Sequence, residues 1–279
     1  MAVLFMFKPK FFSILVIFLM VFSTVGSVSA TITNTNDNKV VNDNNVIMMS
    51  NPTVKEIQKA VDCSNGRTIV IKGSPIDGGE INSTEVLHIK GEDCTFNNIH
   101  WNSMVGISFE GITFNNSHAD YGGAIHSEEY VNLTNCNFTE NSADTEGGAV
   151  WAKDNVVVTN CSFNKNKCSG AHIMQCKGGA IYSGDCVTIS GSNFTGNVAE
   201  DYGGVIYALN LMDIDRSVFE DNVAKDNDGG VIYSDAKAPV FISYSKFINN
   251  KASGEGGAIW AGHSVGLCNS NFTGNVATD

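Results

Sequence analysis

Two aspartates and an arginine have the residue types that cleavage of an acidic polysaccharide requires. Asp213 and Asp215 alternate along a predicted strand, so both carboxylates lie on its outer face, and Arg216 follows directly. A carboxylate pair can act as general acid and base or hold Ca²⁺, and an arginine can neutralise a substrate carboxylate. Equivalent positions in the neighbouring sequence repeats hold no second carboxylate pair: Thr188, Ser190, Phe241 and Ser243. A solvated strand face therefore explains these aspartates as well as catalysis does.

A second set of side chains has the chemistry of a binding surface. A ring-bearing residue follows each Gly-Gly-Ala/Val-Ile/Val tetrad, and these residues are His126, Trp151, Tyr182, Tyr207, Tyr233 and Trp260. Equivalent residues on paired strands stack at about 5 Å, so the rings are predicted to form one row. An outward row would bind sugar rings or a partner surface, whereas an inward row would be core packing. Each ring lies on the opposite side of the strand from the Ile or Val before it, which favours an outward ring. The bend at the glycines is not determined by the sequence, so the inward orientation stays open as well.

The eight cysteines fall into different structural roles. Cys94, Cys136 and Cys161 each precede a Phe by two residues, where later repeats have Ser, and they are predicted to be small packing residues. Cys168 and Cys176 lie within the longest repeat and are the best candidates for a disulfide in an exported protein. No CxxC or HxxxH spacing occurs, and the sequence predicts neither a metal site nor a cofactor.

All of these residues belong to a repeat of about 25 residues. A phenylalanine, an asparagine three residues later and the Gly pair recur in step, and an aliphatic residue lies seven and five positions before each Phe. Such alternation predicts a strand with one buried face, and a unit this short has no room for a helix. Equivalent strands must therefore pair in parallel between successive repeats. The predicted fold is all-β, a right-handed parallel β-helix.

The conserved spacing predicts columns of identical side chains along this β-helix. The phenylalanines are Phe114, Phe138, Phe163, Phe194, Phe219, Phe247 and Phe272. The asparagines are Asn141, Asn166, Asn197, Asn222, Asn250 and Asn275, and they are expected in left-handed turns with their amides hydrogen-bonded along the stack. Because these columns occur in every repeat, they are interpreted as scaffold.

The chain divides into four predicted segments. Residues 1–30 have the charged, apolar and small-residue regions of a signal peptide, with an uncut membrane anchor as the alternative. Residues 31–51 form a flexible Asn-rich leader, and 52–66 form a helix that caps the stack, with Thr53 and Glu56 at capping-box spacing. Residues 67–279 are the repeats, which stop short of the next Gly pair and so suggest C-terminal truncation. No membrane span is predicted after signal removal.

The charge of the chain excludes one class of partner. Its formal net charge is −12, and such an acidic surface repels nucleic acid and anionic lipid. Seven Asn-x-Ser/Thr sequons make it a glycoprotein candidate, although a chain this rich in Asn, Ser and Thr also produces them by chance. They begin at Asn82, Asn115, Asn132, Asn137, Asn160, Asn193 and Asn271.

The paired FxxN and GGA[IV] motifs resemble the repeat of the polymorphic outer membrane proteins of chlamydiae, which also occurs in adhesin-like surface proteins of methanogenic archaea. The matching segments are FTEN with GGAV (138–150), FNKN with GGAI (163–181), FTGN with GGVI (194–206), FEDN with GGVI (219–232) and FINN with GGAI (247–259). The coil of Phe114 departs from the motif, with Ser117 in place of Asn. The resemblance implies a β-helix displayed at the cell surface or outer membrane, with adhesion roles and no chemistry in the repeat.

Together these observations predict a secreted or cell-surface, adhesin-like scaffold that is not an enzyme. Its expected partners are a host or neighbouring-cell surface, through glycans or proteins. Two alternatives are a carbohydrate-active β-helix enzyme, either a polysaccharide lyase or a glycoside hydrolase, and a purely structural envelope component.

Overall fold

The computed structural model describes residues 41–279 except 44, 171–175 and 236–238. The described elements are, in chain order, β1 Val41–Asp43, β2 Val46–Ser50, α1 Val54–Asp62, β3 Thr68–Lys72, β4 Gly79–Ser83, β5 Leu87–Asn97, β6 Ile99–Ser103, β7 Ile107–Asn115, β8 His118–Tyr121, β9 Ile125–Ser127, β10 Val131–Thr134, β11 Asn137–Thr139, β12 Ser142–Glu146, β13 Val150–Ala152, β14 Val156–Thr159, β15 Ser162–Asn164, β16 Lys167–Cys168, β17 Ile181–Ser183, β18 Val187–Ser190, β19 Asn193–Thr195, β20 Val198–Ala199, β21 Ile206–Ala208, β22 Met212–Asp215, β23 Val218–Glu220, β24 Val223–Ala224, β25 Ile232–Ser234, β26 Val240–Ser243, β27 Lys246–Ile248, β28 Lys251–Ala252, β29 Ile259–Ala261, β30 Val265–Cys268, β31 Asn271–Thr273 and β32 Val276–Ala277.

The strands form three parallel sheets that the chain visits once per coil. The sheets are called faces A, B and C, and one coil illustrates them. In that coil β10 and β11 belong to face A, β12 belongs to face C, and β13 belongs to face B. Each strand pairs in parallel with its equivalent in the next coil, so that Val131 lies beside Val156 and Phe138 beside Phe163. The chain is thus a right-handed parallel β-helix, which confirms the fold predicted from the repeat. Among the described strands, β1 and β2 form the single antiparallel pair.

Alternation along face A separates the core from solvent. Val131 and Leu133 are buried, while Asn132 and Thr134 between and after them are half-exposed. The repeated Phe side chains enter the core and stack from Phe114 to Phe272, with successive ring centroids 4.5–4.9 Å apart. This stack is the largest apolar column of the core, and parallel pairing in register is what brings the rings together.

The Gly pair is required by the bend between faces C and B. Gly203 has φ +63°, in the left-handed region that glycine adopts without steric cost. A Cβ on Gly204 would overlap the carbonyl oxygen of Gly230 in the next coil, so no larger residue fits there. A Cβ on Gly203 would also overlap the carbonyl oxygen of Ile206, so close approach excludes larger residues from both positions and the left-handed conformation adds to this at the first.

The asparagine column is a buried hydrogen-bonded ladder. Asn166 donates from both its backbone N–H (2.9 Å) and Nδ2 (3.0 Å) to Oδ1 of Asn197. Asn197 in turn donates from Nδ2 to the carbonyl oxygen of Phe163 at 3.0 Å. The predicted amide contacts are thus present, but the predicted left-handed turn is wrong for these residues. That conformation belongs to the preceding position, for example Lys165 at φ 53° and Asp221 at φ 55°.

The column two residues before each Phe is polar in function, although it is buried. Ser192 Oγ donates to the carbonyl oxygen of Ser190 (2.9 Å) and accepts the backbone N–H of Cys161 (3.0 Å). Cys161 Sγ makes the same two contacts, to Thr159 O at 3.2 Å and from Cys136 N–H at 3.3 Å. Cys and Ser can replace each other at this position because both can donate and accept, while the coil of Phe114 has Ile112 there.

The N-terminal end of the stack is covered by α1. The predicted capping box is present, since Thr53 Oγ1 accepts the Glu56 N–H and Glu56 Oε2 accepts the Thr53 N–H. The helix buries Val54, Ile57, Ala60 and Val61 in the same core as the strands. The Gln58 side-chain amide donates to the carbonyl oxygen of Asn82 at 2.8 Å and accepts the Asn82 N–H at 2.7 Å. It thereby provides partners for backbone groups of β4, the first strand of face B.

The flexible leader predicted for residues 31–51 extends too far toward the C-terminus, because its last part is a strand. Residues 46–50 form β2, which pairs in parallel with β3 from Val46–Thr68 to Ser50–Lys72. The physical reason is alternation, because Ile47 and Met49 enter the core while Met48 stays outside. The predicted signal peptide and residues 31–40 of the leader lie outside the described residues.

Candidate binding surface on face B

The ring-bearing residues lie at the centre of very short strands. Each of the strands β9, β13, β17, β21, β25 and β29 has three residues, and the ring belongs to the second. In β13, Val150 and Ala152 on either side are fully buried, whereas Trp151 is half-buried. The first residue of each strand is Ile or Val and the third is Ser or Ala. One aliphatic and one small side chain thus enter the core, and the ring between them faces outward.

The six rings form a continuous stack along face B. Successive centroids from His126 to Trp260 lie 4.4, 5.8, 5.5, 5.1 and 4.4 Å apart. The four contacts after the first have interplanar angles of 3–6°, and His126 is tilted by 25° from Trp151. Each ring face is therefore covered by the next ring, and the surface consists of ring edges and polar tips. Tyr207, in the middle, is only 8% exposed.

A second column holds the rings in place. It consists of the residue before each Gly pair: Tyr121, Glu146, Lys177, Tyr202, Asp228 and Glu255. Trp151 Nε1 donates to Glu146 Oε2 at 2.9 Å, and Trp260 Nε1 donates to Glu255 Oε2 at 3.0 Å. The same five-residue spacing in two coils shows that carboxylates in this column serve as acceptors for the indoles. The acidic residues before the Gly pairs thus have a positioning role that their sequence positions did not indicate.

Lys177 links the two columns at the middle of the stack. Its ammonium group lies 3.2 Å from Glu146 Oε1 and 5.2 Å from the ring centroid of Tyr207. Further along, the Tyr202 ring packs against Tyr233 at 4.8 Å and 60°. The surface around the rings therefore combines one cation with several carboxylates and phenols.

The environment of the tyrosines keeps their phenol groups neutral. Burial, with smaller contributions from Glu146 and Asp235, raises the pKa of Tyr182 to about 12. Burial also raises the pKa of Tyr207 and of Tyr233. Below these values each hydroxyl can donate as well as accept a hydrogen bond. Three protonated phenol groups thus lie in consecutive coils of one stack.

An ion cluster adjoins the N-terminal end of the row. His126 Nε2 lies 3.1 Å from Glu128 Oε1, and Lys153 Nζ lies 3.4 Å from Glu128 Oε2. The hydrogen bond from His126, followed by that from Lys153, holds the pKa of Glu128 below its ordinary value. Beyond His126 the column continues with Asn102 and Asn82, whose side chains are joined by a 3.1 Å hydrogen bond. Asn82 follows Gly78-Gly79-Glu80-Ile81, in which Glu80 replaces the Ala or Val of the tetrad, and no Gly pair precedes Asn102, so neither residue fits the tetrad pattern.

The carboxylate pair on face A has uncharged residues at the equivalent positions of the adjacent coils. The parallel register places Asp213 between Thr188 and Phe241. Asp215 is paired with Arg216 and accepts a 2.7 Å hydrogen bond from Ser243 Oγ. Arg216 also lies 5.4 Å from the ring centroid of Tyr244. Both charged groups beside Asp213 are therefore engaged with residues of their own face.

Two further properties concern ligands and membranes. In the part of the chain that the structure describes, no three His, Cys, Asp or Glu side chains converge as metal ligands would. Within the same residues, no helix has the length and apolarity that a bilayer span requires.

The structure brings Cys168 and Cys176 together at the base of the long coil. Both residues are fully buried. The five residues 171–175 between them lie outside the described part.

Comparison with known families matches four segments of the chain, at residues 135–153, 160–184, 191–209 and 245–262. These segments match the model of the Chlamydia polymorphic membrane protein repeat. Each matched segment contains the Phe and the Gly pair of one coil, so the polymorphic membrane protein repeat corresponds to one turn of the β-helix. The coil of Phe219 lies outside the matched segments but has the same strands and register. These repeats indicate a surface or outer-membrane protein. Neither the curated proteins nor the solved structures contain a match.

Proposed function

We propose that this chain is a non-catalytic, adhesin-like scaffold that is exported and binds glycans or proteins of a host or neighbouring cell through the ring row of face B. The observation that carries the proposal is the row itself. Six rings from His126 to Trp260 occupy one outward column over consecutive coils. A purely structural role does not require large polar rings on the outside of the sheet.

The geometry favours recognition by edges over stacking of a sugar on a ring face. Ring faces are occupied by neighbouring rings at 4.4–5.8 Å. The groups that remain available are the ring edges, the phenol hydroxyls and the carboxylates around them. Parallel pairing holds these groups in place before binding, which reduces the conformational entropy lost on association.

The charged residues of face A support a binding role over catalysis. Acid and base groups of a polysaccharide-cleaving site lie on both sides of the scissile bond. Asp215 is engaged by Arg216 and Ser243, and Asp213 has Thr188 and Phe241 beside it. A screen for products from acidic and neutral polysaccharides tests this part of the proposal. Turnover that Asp215→Asn abolishes would contradict it.

Binding to intact cells and to an array of immobilised glycans tests the ring row directly. The combined variant Trp151→Ala and Tyr207→Ala is expected to lose at least tenfold in affinity, because it removes two central edges. Phe241→Ala is the matched control, since it removes an exposed aromatic ring from face A. Unchanged binding by the double variant, with its circular dichroism intact, would overturn the assignment.

A second variant separates the hydroxyls from the stack. Replacing Tyr182, Tyr207 and Tyr233 together by Phe retains the rings and removes the polar tips. Weakened binding with unchanged melting would identify the hydroxyls as the recognition groups. Unchanged binding would restrict recognition to the ring edges and the carboxylates.

A further inference from the structure

The longest coil leaves the regular stack at one cysteine and returns at another. From Ala143 to Gly147 the chain advances four residues, and from Ala199 to Gly203 it again advances four. The equivalent interval in the coil between them, from Cys168 to Gly178, takes ten. The six additional residues therefore lie between the two cysteines or next to them.

Backbone hydrogen bonds fix both ends of this excursion. The carbonyl oxygen of Cys168 accepts the N–H of Glu200 at 3.1 Å, and that of Cys176 accepts the N–H groups of Asp201 and Tyr202 at 3.3 and 3.1 Å. Two consecutive stretches of the next coil thus bind the two cysteines. This holds the ends of the excursion side by side even though eight positions separate them in the chain.

The two sulfur atoms lie over the same dipeptide of the preceding coil. Cys168 Sγ donates to the carbonyl oxygen of Thr145 at 2.8 Å, and Cys176 Sγ lies 3.6 Å from that of Asp144. Cys176 Sγ also accepts the backbone N–H of Gly170 at 2.9 Å. Both side chains therefore point into one buried space at the base of the excursion.

We propose that Cys168 and Cys176 form an intramolecular disulfide that closes the base of the long coil. The oxidant is a second disulfide, either of a small molecule such as glutathione disulfide or of an exported thiol oxidoreductase. The thiolate of one cysteine attacks one oxidant sulfur and forms a mixed disulfide, releasing the other oxidant sulfur as a thiolate. The thiolate of the second cysteine then attacks the cysteine sulfur of the mixed disulfide and displaces the remaining oxidant sulfur. In total two Cys thiols lose two electrons and two protons, and the oxidant disulfide becomes two thiols.

In the folded coil, Cys176 is the more acidic thiol of the two. The contacts from the Cys168 thiol and from the Gly170 N–H lower the pKa of Cys176. Burial raises the pKa of Cys168. Because both residues are buried in the finished coil, the exchange takes place while the chain folds, and the product is then shielded from reductant.

Cys136 and Cys161 provide an internal comparison. They are also buried, and they lie at equivalent positions of adjacent coils, where side chains stand parallel at about 4.8 Å. Disulfide formation needs Cβ atoms about 3.5–4.5 Å apart. Cys161 Sγ is also the acceptor for Cys136 N–H in the Ser/Cys column, so oxidation would break that ladder. This pair is expected to stay reduced.

The test is refolding of the full chain with mixed reduced and oxidised glutathione, followed by denaturation, alkylation and non-reducing peptide mapping. The expected result is a linked peptide pair containing Cys168 and Cys176, with Cys136 and Cys161 alkylated. Alkylation of both Cys168 and Cys176, or linkage of either to a different cysteine, would overturn the proposal.

The variant Cys168→Ala adds a thermal measurement. Alanine occupies this column in the neighbouring coils, at Ala143 and Ala199, so the substitution suits the fold. The wild type refolded under oxidising conditions is expected to melt about 5–10 °C higher than under reducing conditions, because the bond closes a short loop in the unfolded chain. The variant should melt equally under both conditions, and a wild type that does so too would contradict the proposal. This outcome is independent of ligand binding.

Discussion

At the scale of single residues, the asparagine ladder concentrates hydrogen bonds on one small side chain. Asn197 accepts from Asn166 N–H and Nδ2 at 2.9 and 3.0 Å, and it donates to Phe163 O at 3.0 Å. Removal of the amide leaves buried donors and an acceptor without partners. We expect Asn197→Ala to lower the free energy of unfolding by roughly 3 kcal/mol or more, measured by urea denaturation.

Asn193→Ala is the matched control for this substitution. It makes the same chemical change four residues earlier in the same coil, at an exposed position on face A. A change of about 0.5 kcal/mol or less is expected there. Equal effects of the two variants would show that the ladder contributes no special stability.

The Ser/Cys column leads to a second prediction at this scale. Cys161→Ser should be tolerated within about 1 kcal/mol, because Ser192 already performs the same donor and acceptor contacts. Cys161→Ala should cost about 1–3 kcal/mol, since it removes the acceptor for the buried N–H of Cys136. Chemical denaturation under reducing conditions measures both, and a more stable Ala variant would contradict the ladder.

The sequence predicted which residues form columns but not always what each residue does. The left-handed position two residues after each Phe is occupied by Asn116, Glu140, Lys165, Asp221 and Asn249, and by glycine in two described coils. Gly, Asn and Asp tolerate this conformation, whereas Glu140 and Lys165 adopt it because the coil geometry imposes it. The asparagine beside it is uniform for a different reason, its buried amide contacts.

At the scale of elements, the bend between faces C and B is the least tolerant part of a coil. A Cβ on Gly204 would overlap backbone atoms of Gly230 and approach the carbonyl carbon of Val223 to 2.7 Å. We expect Gly204→Ala to destabilise the protein by more than about 4 kcal/mol or to prevent folding. Yield of folded protein and urea denaturation measure this effect.

Gly196→Asn is the comparison for that substitution. Gly196 also has a positive φ of 63°, but other coils place Lys165 and Asn249 at the equivalent position. A cost of about 1 kcal/mol or less is expected, because asparagine adopts left-handed backbone readily. If both variants were equally damaging, backbone conformation rather than close approach would explain the Gly pair.

The ring stack makes stability depend on pH at the alkaline end. An unfolded tyrosine has a pKa of about 10, whereas burial raises the pKa of Tyr182 to about 12 in the folded chain. Above pH 10 the unfolded chain therefore releases phenol protons that the folded chain retains. The free energy of unfolding should fall as pH rises from about 10 to 12.

Ultraviolet titration of phenolate, combined with denaturation at each pH, measures this effect. A late titrating fraction is expected in the wild type. It should disappear when Tyr182, Tyr207 and Tyr233 are replaced together by Phe, and the fall in stability should become shallower. Ordinary titration of every tyrosine in the folded wild type would contradict the burial of the stack.

The sequence indicated the row of rings but not its environment. Alternation along the strand favoured an outward orientation of the rings, and the structure has this orientation. It results from an irregular backbone hydrogen-bond pattern beside the Gly pair. There the carbonyl oxygen of Ala149 accepts both Ala124 N–H and Ile125 N–H, so that Ala and Ile of one tetrad are both buried. The indole contacts to Glu146 and Glu255 share a five-residue spacing, but the sequence did not indicate that the side chains on either side of the Gly pair touch.

At the scale of the whole molecule, each coil contacts mainly its neighbours, so the stack tolerates removal of a complete unit. Val187 pairs with Met212 in register, 25 positions later. Deletion of residues 187–211 should give a shorter folded β-helix with lower stability. Deletion of 187–199 removes only part of a coil and should not fold. Circular dichroism and limited proteolysis distinguish the outcomes, and unfolding of the in-register variant would contradict independent coils.

The in-register pairing of coils of similar length also has a consequence for the gene. About 75 nucleotides encode one coil of 25 residues, and neighbouring coils have similar motifs. Unequal recombination between two such stretches inserts or removes a complete turn, with every inward and outward column still aligned. Each event changes the length of the β-helix by about 4.8 Å. A gene of this kind can therefore vary in length without a compensating mutation elsewhere.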